Sequence, residues 1–317
     1  MKKNISIVVS LFNEEKSIND LGQSLVSVLA KLNDLTFEVI WVNDGSSDGT
    51  GNKVDEVAQN HKAQNVTHMK IEFSKNFGHE AAMISGIDNA TGDAIVCMDA
   101  DGQHPPLEIP NMISAFLKGN DCVLMSRAQR QDNGFLKKSL SSLFYKIINS
   151  LSKIPFEKNA SDFFLISDNV ASILKKNYRE KNRFIRGFIQ SMGFTTCTLY
   201  FSAPKRMHGE SHYSYKKLFK LALSAIFTFS FKPLRLSILF ALIFILITFC
   251  LGIYSIYQYI YGDNTPSGYT SIILFVSFSF TLLFSILSIQ LLYFEKLIEE
   301  IRQTPIYIVE NKQRYDK

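Results

Sequence analysis

An α/β domain with a mainly parallel sheet, followed by an amphipathic segment and two long apolar helices, is the fold class this sequence predicts. Three observations predict it. Over the first ~210 residues, short apolar runs alternate with stretches of helical period, the rhythm of βαβ units. From Leu236 to Gly262, and again from Asn264 to Phe294, no residue is charged. These runs of about 27 and about 31 positions exceed the ~20 residues a membrane helix needs. Between the two regions, Leu218, Leu221, Ala222, Ala225, Ile226 and Phe229 recur at helical spacing beside Lys216, Lys217 and Lys220, the pattern of a helix lying in a membrane surface or packed on the preceding domain.

The elements follow in order. Ile5–Leu11 is a buried first strand: Lys2 and Lys3 precede it as in a signal peptide, but the run is short and meets Asn13, Glu14 and Glu15 instead of small residues. Helix-period residues 18–32, a strand at 37–42, a helix from Thr50 to Asn60 and a strand at 67–73 continue the alternation. Ala94–Met98 ends in Asp99-Ala100-Asp101, and Cys122–Met125 ends in Ser126-Arg127; polar clusters at the C-terminal ends of strands mark ligand sites in such sheets. Boundaries are therefore set at 1–210 for a cytosolic catalytic domain, 211–233 for the juxtamembrane segment, 234–294 for a hairpin with spans at about 236–261 and 270–294, and 295–317 for a partly ordered cytoplasmic tail. Lys and Arg flank both spans on their outer sides, whereas the connection Tyr261–Tyr269 carries only Asp263, so both termini are expected in the cytoplasm.

Composition narrows the function. Lys+Arg 34 against Asp+Glu 29 gives +5, a mild excess compatible with anionic lipid or a phosphorylated substrate. Cys97, Cys122, Cys197 and Cys250 are far apart with no C-x-x-C spacing, which excludes a disulfide scaffold and a zinc site of that kind. The histidines read as polar contacts.

Two turns carry candidate chemistry. Asn43-Asp44-Gly45-Ser46-Ser47-Asp48-Gly49-Thr50 follows an apolar strand and opens a helix, a place that suits a polar or anionic ligand; an ordinary Asx turn with a helix cap uses the same residue types. Asp44, Ser46, Asp48 and Gly49 also fall on calcium-loop positions, but a strand precedes them instead of a helix. Asp99-x-Asp101 at a strand end can hold one Mg²⁺ or Mn²⁺ while leaving coordination positions to substrate phosphates.

Taken together, these residues resemble family-2 glycosyltransferases of the GT-A fold, in the polyprenyl-phosphate branch that includes dolichyl-phosphate mannosyltransferase and bacterial undecaprenyl-phosphate glycosyltransferases. The resemblance is carried by Ser10-Leu11-Phe12-Asn13-Glu14-Glu15, Asn43-Asp44-Gly45-Ser46-Ser47-Asp48, Asp99-Ala100-Asp101 with Gln103, Asn76-Phe77-Gly78, Ser126-Arg127, Ala160-Ser161-Asp162-Phe163, Arg183-Phe184-Ile185-Arg186-Gly187 and Arg206-Met207-His208-Gly209-Glu210-Ser211. Ser10 stands where the family usually has Pro, Asn43 where it often has Asp, and Phe164 where the bacterial branch commonly has Arg.

The resemblance implies an inverting transfer of a sugar from a nucleoside diphosphate to a polyprenyl phosphate at the cytoplasmic face of the inner membrane. The product would be a lipid-linked sugar donor for cell-envelope glycan or glycoprotein modification. By that resemblance Ser10, Phe12, Glu14, Asn43, Asp44, Asp99, Ala100 and Arg127 bind the nucleotide sugar. Asp99, Asp101 and Gln103 hold Mg²⁺ or Mn²⁺, Arg127, Arg206 and Ser211 grip the acceptor phosphate, and Asp162, Arg206 and Asp101 act in catalysis. UDP-sugars are favoured over GDP-mannose, no nucleic acid is expected as partner, and a homo-oligomer stays open. A processive polysaccharide synthase is the enzymatic alternative, opposed by the absence of a Q-x-x-R-W motif, since the single tryptophan is Trp41 in a strand. A catalytically degenerate membrane scaffold is the other, opposed by the intact Asp99, Asp101 and Gln103.

Overall fold

A computed structural model describes residues 2–128, 160–179, 184–202, 204, 232–261, 268–302 and 304–315. The chain divides into two units: residues 1–149, 154–213 and 304–317 form the first, and 150–153 with 214–303 the second.

In the first unit the apolar runs become β1 (Lys3–Leu11), β2 (Leu35–Asn43), β3 (Val66–Phe73), β4 (Ala94–Asp99), β5 (Cys122–Arg127), β6 (Ala160–Ser167) and β7 (Thr196–Phe201). Between them lie α1 (Ile18–Leu29), α2 (Thr50–Asn60), α3 (His79–Asn89), α4 (Ile109–Leu117), α5 (Asp168–Asn177) and α6 (Ile185–Ser191). The eighth strand, β8 (Val309–Tyr315), comes from the end of the chain.

The sheet order is β7-β5-β6-β4-β1-β2-β3-β8. Strands β1 to β4 are mutually parallel, as the βαβ rhythm predicts, but β6 runs antiparallel to both β4 and β5, and β8 antiparallel to β3. The sheet is therefore mixed. Ile5, Ile7, Val9 and Leu11 of β1 and Phe37, Val39 and Trp41 of β2 are fully buried together with Ile18, Leu25 and Leu29 of α1, which makes the helix stripe and one sheet face a single core.

Because β2 and β3 extend the sheet to one side of β1 and β4 to the other, the chain reverses direction of growth between β1 and β4. Ligands in open α/β sheets bind at the carboxyl ends of strands at such a switch point. Register brings Ser10 directly beside Asp99, and Leu11 beside Asn43.

The C-terminal tail departs from expectation. Val309–Tyr315 is polar and exposed, yet it is an ordered edge strand whose Glu310, Lys312 and Arg314 blunt the edge against further pairing. Its register on β3 is reinforced by Tyr315, whose hydroxyl donates to Asp55, and by Lys312, whose ammonium donates to Asn89 Oδ1 at 2.6 Å.

In the second unit, α7 (Lys232–Tyr261) and α8 (Tyr269–Ile301) touch through Phe244, whose ring lies 5.8 Å from Phe275 and 5.7 Å from Phe278. Within α8, Phe275–Glu295 has a mean hydropathy of 2.0 and is long and apolar enough to cross a membrane; the described apolar stretch of α7, Leu239–Tyr254, is shorter. Side chains such as Leu242, Ile245, Phe249, Phe278, Phe284 and Leu291 are exposed, a surface that water disfavours and lipid accepts. The hydroxyls of Thr248, Ser279, Thr281, Ser285 and Ser288 each donate to the carbonyl four residues earlier, so no partner outside the helix is needed for them. Of the expected juxtamembrane segment 211–233, residues 211–231 lie outside the described residues, and Lys232 and Pro233 open α7.

Candidate active site at the β1/β4 switch point

Four loops meet at the carboxyl ends of β1, β2, β3 and β4. The first is Phe12–Ser17. Asn13 adopts φ +56°, a left-handed conformation that Asn tolerates, and its amide donates to Ser46 Oγ at 3.0 Å while its Oδ1 accepts from the Ser47 amide at 2.9 Å. Glu14 donates through its amide to Thr50 Oγ1, and its carboxylate accepts from Ser17 Oγ at 2.8 Å. Phe12 is exposed, 47% accessible, which leaves its ring available to a flat ligand group.

The second loop is 43–50. It is an Asx turn and helix cap, since Asn43 Oδ1 accepts from the Ser46 amide at 3.1 Å and Asp48 Oδ1 from the Thr50 amide at 3.1 Å. Asp44, 2% accessible, accepts from the amides of Phe77 at 2.7 Å and Gly78 at 2.9 Å. Its carboxylate thus ties the second loop to the third, 74–78, an anchoring part beyond the nucleotide-sugar contact expected of it. Gly45 has φ +63°, and a Cβ there would lie 2.3 Å from the Lys75 carbonyl carbon, so only glycine allows the two loops this approach.

The third loop delivers His79 and Glu80 at the start of α3, and the fourth delivers Asp99 to His104. Ser10 Oγ donates to Asp99 Oδ1 at 2.8 Å and lies 3.1 Å from His79 Nδ1. Here the residue that replaces the family's proline supplies a hydrogen bond proline cannot. The antiparallel register from Ala94↔Ser167 to Cys97↔Phe164 carries Asp162 towards Asp99. His79 lies between them, with Nδ1 3.3 Å from Asp99 and Nε2 3.7 Å from Asp162. Arg186 of α6 closes the group, its Nε 2.8 Å from Asp162 Oδ1.

Charge follows from this packing. Burial disfavours a charged His79, but Asp99 and then Asp162 outweigh it and raise its pKa to about 10. Burial likewise pushes the Asp162 carboxyl up, yet Arg186 and His79 hold it well below the usual carboxylate range. Glu80 rises to about 7 through burial and the Asp162 charge; its Oε2 accepts from the Ile185 amide at 3.1 Å, which links α3 to α6. His104 is fully buried, and burial lowers its pKa. The Asp99 amide donates to His104 Nδ1 at 2.8 Å, so the ring proton sits on Nε2 and is donated to Ser161 Oγ at 2.7 Å.

Asp101, Gln103 and Arg127 form a second group. Asp101 Oδ1 accepts from the Gln103 amide at 3.0 Å, and Arg127 Nη2 donates to Gln103 Oε1 at 2.8 Å. Among the described residues, His79, Asp99 and Asp162 form a compact set of acidic and imidazole groups, with ligand atoms all within 4.8 Å of one another, and it shares Asp99 with the expected set Asp99, Asp101 and Gln103. The two carboxylates suit Mg²⁺ or Mn²⁺, Asp101 is two residues from the first of them, and the His79 ring could join them only by giving up its proton. Ala100 is buried beneath the loop, and Phe164 is fully buried in the sheet. Arg206 and Ser211 lie outside the described residues.

Residues 6–193 match the family "Glycosyl transferase family 2". The chain belongs to glycosyltransferase family 2. Relatives match it over nearly its full length: "Uncharacterized glycosyltransferase YkcC" of Bacillus subtilis (strain 168) is 32% identical, covering 98% of this chain and 96% of its own. "SfII prophage-derived bactoprenol glucosyl transferase" of Shigella flexneri is 32% identical with 98% of both chains covered. "Prophage bactoprenol glucosyl transferase homolog" of Escherichia coli (strain K12) is 33% identical, covering 86% of this chain and 88% of its own.

Three residues that family-level reasoning left outside the site belong to it by position: His79, Glu80 and Arg186. The signal was present in part, because Asn76-Phe77-Gly78 directly precedes His79 and Arg186 stands inside the matched Arg183–Gly187 segment.

Proposed function

We propose that this glycosyltransferase moves a sugar from a nucleoside diphosphate to a polyprenyl phosphate, with inversion at the anomeric carbon, and that glucose carried on UDP is the sugar. The observation that supports it most is one chain carrying both parts such a reaction needs: an acidic site at a sheet switch point and a helix long and apolar enough to reach a lipid acceptor. The bactoprenol glucosyl transferases that match along nearly the whole chain support the acceptor class and the sugar.

In this reading the C1–O bond to the diphosphate breaks with its electron pair leaving on the diphosphate, while an acceptor phosphate oxygen forms the new bond from the opposite face. That oxygen is already anionic near neutral pH, so proton removal is not demanded of the enzyme. Asp99 and Asp162 would hold a divalent cation with Asp101 nearby, His79 joining only after losing its proton, and the bound cation would draw charge off the leaving diphosphate. Arg127 offers a planar fork to phosphate oxygens, Phe12 a face for the base, and Arg186 keeps Asp162 ionised. Both charge-free segments act as membrane spans, with the catalytic unit and both termini in the cytoplasm, where nucleotide sugars are made.

The test is incubation of membranes bearing the protein with undecaprenyl phosphate, Mg²⁺ or Mn²⁺, and UDP-glucose, with lipid products followed by mass. A hexosyl-phosphoryl-undecaprenyl product that disappears in Asp101→Ala supports the reading; its persistence in Asp101→Ala, or no lipid product with any of a panel of UDP- and GDP-sugars, removes it.

A further inference from the structure

The transfer reaction gives no part to the segment between α8 and β8, yet that segment packs on a loop of the active site. Tyr307 stacks on Phe73 at the end of β3, with ring centroids 5.1 Å apart and planes 9° from parallel. Its hydroxyl donates to Asp88 Oδ2 at 2.7 Å, and Arg179 holds the same carboxylate. The next residue, Ile308, accepts from the Ser74 amide at 3.2 Å.

Phe73 transmits this contact. It is 3% accessible and meets the ring of Phe77 edge-on, 5.8 Å between centroids at 89°. Phe77 is also the residue whose amide donates to Asp44, and Gly78 and His79 follow it directly. Loop 74–78 is therefore held from two sides: Asp44 grips its amides from the β2 end, and the row Tyr307, Phe73, Phe77 grips its side chains from the C-terminal segment. Ser74 to Asn76 are exposed, and within the loop the Lys75 ammonium sits 5.3 Å from the centre of the Phe77 ring, so the Phe77 side chain is a main point where the loop is held.

We propose that Tyr307 is a positioning residue of the donor site: its ring, through Phe73 and Phe77, fixes the loop that presents His79 to Asp99 and Asp162, so donor binding depends on the C-terminal segment. The proposal rests on the reading of this site as the nucleotide-sugar site. It also accounts for an ordered strand built from a polar sequence, whose place in the sheet delivers Tyr307 to Phe73.

The test compares the full-length protein in detergent or nanodiscs with Tyr307→Ala, Tyr307→Phe and Tyr315→Ala. The last removes a contact of β8 with Asp55, at the end of the strand away from Tyr307. Two readouts are taken: amide exchange of peptides covering 73–80, and steady-state kinetics with UDP-glucose and undecaprenyl phosphate. One aromatic contact corresponds to a change of about 3- to 10-fold. Tyr307→Ala is expected to speed exchange at 73–80 and to raise the KM for UDP-glucose by that factor, with kcat and the KM for undecaprenyl phosphate unchanged. Tyr307→Phe retains the ring and is expected to match the wild type in both, and Tyr315→Ala to leave both unmoved.

Unchanged exchange in Tyr307→Ala overturns the proposal, as does faster exchange with an unchanged KM for the donor, or a Tyr315→Ala that behaves like Tyr307→Ala. A wild type that transfers from no nucleotide sugar overturns the proposed function instead; exchange at 73–80 then decides by itself whether Tyr307 holds the loop.

Discussion

Gly45→Ala isolates the close approach of loops 43–50 and 74–78. Two costs apply. A left-handed φ of +63° costs an alanine about 1–2 kcal/mol. The new Cβ would also stand 2.3 Å from the Lys75 carbonyl carbon and 2.6 Å from the Asn76 nitrogen, both backbone atoms, and relieving such an overlap costs about 1–3 kcal/mol more. Gly193 is the control: its φ is +75° and nothing lies within 4 Å of its Cβ position, so Gly193→Ala bears the first cost alone. Trp41 is the single tryptophan and is fully buried in β2, so its fluorescence reports unfolding of the catalytic unit without a tryptophan signal from α7 and α8. With a urea slope of about 2 kcal/mol/M, Gly193→Ala should lower the midpoint by roughly 0.5–1 M and Gly45→Ala by roughly 1–2.5 M. Equal shifts in the two variants would refute the argument that backbone overlap, beyond conformation, reserves position 45 for glycine.

Three further outcomes follow from the same geometry. Asp44→Asn keeps one acceptor but turns an NH₂ towards the other amide, a loss of about 1.5–3 kcal/mol in loop anchoring; the KM for UDP-glucose should rise at least tenfold, roughly the lower end of that figure, and an unchanged KM contradicts the anchoring role. Arg127→Lys replaces a fork with a point charge and frees Gln103 Oε1 from its 2.8 Å partner, so kcat should fall about 10- to 100-fold, read by rate of lipid product. His68 is buried and neutral, with burial lowering its pKa; Trp41 Nε1 donates to its Nδ1 at 3.1 Å. A lowered pKa means the unfolded chain binds the proton more readily, so stability is complete above the ordinary value of 6.5 and declines as pH falls below it. The urea midpoint should therefore drop between pH 7.5 and 5.5, and His68→Gln should show a smaller drop over the same interval.

What the sequence disclosed and what it withheld divide along physical lines. Strands β1 to β4 were legible because both of their faces are covered, which demands continuous apolar runs such as Ile5–Leu11. β8 was not, because an exposed edge strand such as Val309–Tyr315 is under no pressure to be apolar, and Tyr315 at its end, like Tyr307 just before it, looks like any tail tyrosine. The antiparallel direction of β6 is a matter of long-range pairing with β4 and β5, which no local pattern in Ala160–Ser167 encodes. The Asp99 turn stood out by its own spacing. Its partners did not: Ser10 lies 89 positions away and meets Asp99 through strand register, and His79 reaches both aspartates only because Asp44 and Gly45 draw the 74–78 loop inward.

The most direct test of the central claim asks whether the acceptor's phosphate is the attacking group. Radiolabelled UDP-glucose is given to the purified protein with undecaprenyl phosphate or with undecaprenol, its unphosphorylated counterpart, and label entering the organic phase is counted. Transfer to undecaprenyl phosphate with none to undecaprenol is the predicted result; equal labelling of the two lipids, or label appearing only in water-soluble product, would contradict a polyprenyl-phosphate glycosyltransferase.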